Sequence, residues 1–185
     1  MRYVALLRGI NVGGNNKLPM KDLAALVGAC GGRDVRTYIQ SGNVFFASDQ
    51  ADRGALTEMI ERHLGTALGY AVPVFLRTIP ELEQIVAADP FRHLTVTPDM
   101  RLCVMFTATA IPGGLALPLY SPKRDMEVIH TTEREAYVIW RLTDGRPPAA
   151  YGFEDILGKN TTTRFFHTTA KILAAAKQKG GRGDD

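Results

Sequence analysis

Arg8, Asn11, Asn15, Asn16 and Lys17 share one short stretch with Gly9, Gly13 and Gly14, and Gln40, Ser41 and Asn43 gather around Gly42 soon after. Glycines let a backbone take positive φ or approach a ligand closely. Arg8 and Lys17 supply two cations, and no acidic residue follows Arg8 until Asp22. A helix that starts just after such a loop adds unpaired N–H groups and a partial positive charge. Together these groups suit an anion, a phosphate or a carboxylate. The same residue types also suit plain scaffolding. Asn and Gly close tight turns through local hydrogen bonds, and an Arg can donate to turn carbonyls. Both readings stay open on the residues alone.

Several specific chemistries are excluded. Gly9 and Gly14 have P-loop spacing, but Asn15-Asn16-Lys17 stands where Gly-Lys-Ser/Thr is required. Gly9, Gly13 and Gly14 do not fit G-x-G-x-x-G, which argues against a Rossmann dinucleotide site. Ser41 is not in a G-x-S-x-G elbow and reads as a turn residue. His63, His93, His130 and His167 lack metal-ligand spacing. No metal or cofactor is expected.

A second polar cluster lies near the C-terminus. Asn160 or Thr161 could cap a long helix over 162–177. On that helix, at about 100° per residue, Arg164, His167, Thr168 and Lys171 fall on one arc. Phe166, Thr169, Ala170 and Leu173 take the other side. The cationic arc is either a solvated face or a second wall for an anion, lining a groove opposite the first domain.

LLRGINVGG followed by YIQSGNV resembles the signature of DUF family 1697, a domain of unknown function. The segment from Thr162 to Leu173 is similar to that family's T-T-R-N-W-x-T-V-x-K-L pattern, with Phe165-Phe166 in place of Asn-Trp and Thr169 in place of Val. The resemblance implies a cytoplasmic, usually bacterial, two-part α+β protein containing ferredoxin-like architecture. It implies no activity.

The elements that position the first cluster follow from periodicity. Residues 2–8 read as a buried strand, and Pro19 opens a helix that Gly31-Gly32 stops. Residues 35–39 and 44–47 form a hairpin around Ser41-Gly42-Asn43. A helix from Leu56 to Leu68 and a strand over 72–76 complete βαββαβ, the ferredoxin-like unit. In strand order 4-1-3-2 the 8–17 loop and the 40–43 turn meet at one sheet end. A third helix covers 80–88. Pro90 and Pro98 bracket a boundary between domains 1–90 and 91–185. The second half is α+β, with strands at 102–107, 127–130 and 136–141, a short helix near 151–157 and the final helix. Its strand order is open.

Composition sets the outer limits. At 185 residues, 45% hydrophobic and 22% charged, the chain is long and apolar enough for a packed core. No apolar run approaches a membrane span, and the start lacks a signal-peptide core, so a cytoplasmic setting without a membrane partner is expected. Cys30 and Cys103 read as reduced thiols. Six basic and two acidic residues lie from Lys159 onward, a charge of +4 against +3 for the chain, so residues 1–158 sum to −1. The surface is therefore not positive throughout, as a dedicated nucleic-acid binder's is. The leading expectation is a binding protein for a small anionic ligand, a phosphorylated metabolite or nucleotide. The alternatives are an enzyme acting on such a ligand, which lacks an evident acid–base pair apart from His167, or an RNA- or protein-interaction module using the basic last helix. The oligomeric state is not legible.

Overall fold

The structure, a computed structural model, describes residues 1–12, 16–148 and 152–178. The chain divides into two compact units. One holds 1–83 and the C-terminal segment from Lys171; the other holds Gln84–Ala170. A division at residue 90 would put the last helix entirely in the second half; the two units share it instead.

In the first unit the elements are β1 (Arg2–Leu7), α1 (Met20–Ala29), β2 (Arg33–Tyr38), β3 (Asn43–Ala47), α2 (Arg53–Leu68) and β4 (Val74–Thr78). The sheet runs β2-β3-β1-β4 with every pair antiparallel, which is the ferredoxin-like order. Alternation along β1 sends Tyr3, Ala5 and Leu7 to the helix-covered face. There they pack with Leu23 and Val27 of α1 and Leu56, Ile60 and Leu64 of α2. Asp52 caps α2 by accepting from the Ala55 amide at 3.1 Å, and Gly69, at φ 78°, ends it. Next comes α3 (Ile79–Ala88). Thr78 and Glu81 form a reciprocal capping box at its start, the Thr78 N–H donating to Glu81 Oε2 at 2.7 Å and the Glu81 N–H to Thr78 Oγ1 at 3.3 Å.

The second unit contains β5 (Met100–Thr107), β6 (Leu119–Tyr120), β7 (Met126–Thr131), β8 (Glu135–Arg141), α4 (Glu154–Leu157) and β9 (Thr161–Phe165), and α5 (Phe166–Lys177) follows. Its sheet order, β6-β7-β8-β5-β9, is also antiparallel between neighbours. One face packs Cys103, Met105, Met126, Val128, Ala136 and Val138 against Ile111, Phe153 and Leu157. Trp140 is half-buried against that core.

One expectation is corrected. The final helix does not begin at 162, because Thr161–Phe165 is β9, paired with β5 from Cys103↔Phe165 to Thr107↔Thr161. Three consecutive threonines are β-branched and stiff at χ1, which suits a pleated strand better than a helix. An available strand edge on β5 decides between the two.

Candidate functional site

The two polar turns of the first unit meet at one sheet end, as the strand order requires. The Leu7 N–H donates to the Gly42 carbonyl at 2.8 Å, and the Arg8 N–H to the Pro73 carbonyl at 3.0 Å. Asn11 is the main brace between the turns. Its Oδ1 accepts from the Leu18 N–H at 2.8 Å, while its Nδ2 donates to the carbonyls of Leu18 and Gln40, both at 2.9 Å. Asn16 Nδ2 donates to the Gly9 carbonyl at 3.0 Å. Asn43, fully buried, donates to the Tyr38 carbonyl at 3.1 Å and to Ser41 Oγ at 3.0 Å. The three asparagines therefore bind backbone and hold the loops in shape. Ser41 is a turn acceptor.

Positive φ recurs through the pair of turns, at Gly9, Asn11, Asn16, Ile39 and Gly42. Asn and Gly tolerate that region. Gly42 is also needed sterically, since a Cβ there would lie 2.7 Å from Ile10 Cδ1 and 3.0 Å from Leu7 Cβ. Ile39 is the exception. It is β-branched, sits at φ 49° and is 46% exposed. A β-branched residue in the left-handed region is an outlier costing about 1–2 kcal/mol. Sequence reasoning did not single it out, because nothing in Tyr38-Ile39-Gln40 marks which residue must turn.

Among the described residues, side chains exposed at this end include Arg8, Lys17 and Gln40, together with Val12 at 65%. Lys17 makes no ion pair among the described residues. The Glu61 carboxylate accepts from the Val74 N–H at 2.7 Å and so is engaged at the start of β4. The helix start offers less than expected. Pro19 has no N–H to give, and Asp22 stands in the first turn of α1, where its charge opposes a bound anion. Gly13, Gly14 and Asn15 lie outside the described residues.

The second cluster does not form as expected. Arg164 is on β9 rather than on the helix, so it shares no helical arc with His167, Thr168 and Lys171. Arg164 is only 8% exposed, and its guanidinium donates to Thr162 Oγ1 and to the Thr163 carbonyl, both at 2.9 Å. Burial brings its pKa down to about 10, so it stays charged near neutral pH. Register explains the burial, since Thr162 and Arg164 pair with Phe106 and Val104, two core residues of β5. His167 and Lys171 are exposed on α5. Lys177 is paired with Glu83 at 2.6 Å.

Other groups offer little chemistry. Cys30 and Cys103 are free thiols, and burial pushes Cys103 up to about 12, away from the reactive thiolate. Burial, then Glu135 and Asp89, raise the Tyr137 phenol, which donates to the Ile85 carbonyl at 2.8 Å. Among the described residues no group of three or more His, Cys, Asp or Glu is disposed to hold a metal ion. Arg124 lies over the Tyr120 ring at 4.3 Å, and the neighbouring Ser121 is buried against Asp125.

The fold and its braced polar edge define an α+β protein with a ferredoxin-like first unit. The chain belongs to the family described as protein of unknown function DUF1697, whose model matches residues 1–137. That match contains both turns of the first site and ends before β9 and α5. The chain is similar in fold to the conserved bacterial protein SP0830 from Streptococcus pneumoniae, at TM-score 0.67 and 21% identity, over 95% of this chain and 98% of that one. No curated protein matches it. No helix among the described residues is long and apolar enough to cross a membrane.

Proposed function

We propose that this chain binds a small anionic ligand, a phosphorylated metabolite or nucleotide, at the edge made by the 8–17 loop and the 40–43 turn. The observation that carries the reading is the Asn11 brace. One side chain makes three hydrogen bonds, two closing its own loop at Leu18 and one crossing to the Gln40 carbonyl of the other turn, while Arg8, Lys17 and Gln40 stay exposed beside them. Groups held in place before binding lose less entropy when a ligand arrives. In this reading Asn11, Asn16 and Asn43 shape the site, Arg8 and Lys17 carry the charge, and Gln40 and Ser41 set polar contacts. Arg164 is buried and is given no part in this reading, whereas Lys171, exposed on α5, stays a candidate further cation.

A thermal-shift panel of nucleotides, sugar phosphates, pyrophosphate and acidic metabolites, each at low and moderate salt, tests this. A ligand at about 100 times its dissociation constant adds about 2.7 kcal/mol. For a chain of this size each kcal/mol raises the midpoint by about 2–4 °C. The expected result is a shift with a small anion that survives moderate salt and is lost in Arg8→Ala and Lys17→Ala. A single site should respond mildly to salt, whereas a polyanion binder responds steeply. Absence of a shift with every member overturns the proposal.

A further inference from the structure

We infer that the ligand of this edge is a nucleoside phosphate whose base lies on Ile39 and Val12, an inference that rests on the anion-binding reading above. Two aliphatic side chains flank the cations. Val12 is 65% exposed and directly follows Asn11; Ile39 is 46% exposed and directly precedes Gln40. The Asn11 amide donates to the Gln40 carbonyl at 2.9 Å, so each aliphatic residue stands one position from the same hydrogen bond. Arg8 and Lys17 are exposed on the same pair of turns.

Ile39 gives the apolar part its weight. Its left-handed conformation, φ 49°, opposes folding, and with 46% of its surface exposed packing repays the cost only in part. Asn or Gly would fold better at that position. An isoleucine held there against its own preference with nearly half its surface in solvent is accounted for by contact with a ligand.

The ligand must then join an anion to an apolar face. Inorganic phosphate and sugar phosphates are hydrophilic all round and draw nothing from Ile39 or Val12. A nucleotide carries a flat base with apolar faces close to its phosphate. Aliphatic side chains cover such faces by burial, while Arg8 and Lys17 take the phosphate.

The test is titration calorimetry with AMP, GMP, CMP, UMP, ribose 5-phosphate, pyrophosphate and adenosine against the wild-type chain, Ile39→Asn and Val12→Ser. Melting of each unliganded protein is recorded alongside. The expected result is that at least one nucleotide binds about ten-fold or more tightly than ribose 5-phosphate, and that Ile39→Asn removes most of this advantage, about five- to ten-fold. Affinity for pyrophosphate stays unchanged. The same substitution raises the midpoint of the unliganded chain by about 2–4 °C through relief of strain. Opposite signs on stability and affinity are not produced by a purely structural residue. Equal binding of ribose 5-phosphate and nucleotides, or nucleotide affinity untouched by Ile39→Asn, overturns this inference and leaves anion binding standing. Failure of pyrophosphate and every other phosphate to bind overturns both.

Discussion

Single residues do most of the work at the polar edge, and they divide into those that hold and those that present. Asn11 holds. Both ends of its amide are used, and its own φ of 55° suits a residue that enters the left-handed region easily. Asn11→Ala loses all three bonds and leaves the Leu18 and Gln40 groups in need of partners. We expect a cost of about 1–3 kcal/mol. Differential scanning calorimetry would then show a midpoint lower by roughly 2–12 °C, and a change within error would show that water replaces the brace at no cost. Gly42 holds in another way, by having no Cβ to strike Ile10. Arg8, Lys17, Val12 and Ile39 present side chains to solvent. The sequence displayed the residue types of this site plainly. It did not show that the asparagines would be spent on backbone, since the same Asn could equally have faced a ligand. Which it does depends on the carbonyls brought near it by strand pairing.

At the scale of elements, α3 and α5 show how local signals succeed and fail. The start of α3 is written in Thr78-Ile79-Pro80-Glu81, a capping box with proline in the first turn, and it forms as written. Burial pushes the Glu81 carboxyl up, but the Thr78 N–H, the Arg53 guanidinium and the Thr78 hydroxyl more than offset it, and its pKa ends below the ordinary glutamate value. The folded state therefore binds a proton here less readily than the unfolded chain. The resulting stability is complete above the ordinary glutamate range and is lost as pH falls through the lowered native value. Urea titrations across the acid range should show this fall in the wild type and a shallower one in Glu81→Gln. Equal slopes would remove Glu81 as the cause. Thr162 to Leu173 fits a helical period, yet α5 begins only at Phe166. The periodicity was real, but β5 offered its edge to the three threonines. An element next to an open strand edge is decided by a partner that a sequence window does not contain.

Over the whole molecule, the last helix belongs to both units. Its final carbonyls are satisfied by residues far away in sequence. Arg2 of β1 donates to Ala176 at 2.8 Å, and Arg36 of β2 donates to Gln178 at 2.9 Å, with a longer contact to Ala175. Cations at a helix C-terminus meet both its orphan carbonyls and its partial negative charge. The chain's first strand is thereby tied to its last helix. Replacing both arginines, Arg2→Gln with Arg36→Gln, should cost about 1–2 kcal/mol. Amide exchange should quicken from Ile172 to Gln178 before the rest of the first unit opens. Unchanged protection there would mean that packing of Ile172, Leu173 and Ala176 holds the helix end without the arginines.

By itself the sequence determined the family, the βαββαβ unit and the meeting of two polar turns. Those follow from short-range patterns: an apolar period, a cap, a glycine where a turn must pass, and the few topologies that such elements can adopt. Only the tertiary structure decided the strand order of the second sheet, the strand at Thr161–Phe165, the burial of Arg164 and the use of Arg2 and Arg36 as caps. Each of these depends on which distant backbone group or strand edge lies within hydrogen-bonding reach. That is a property of the packed chain, and no local run of residues carries it.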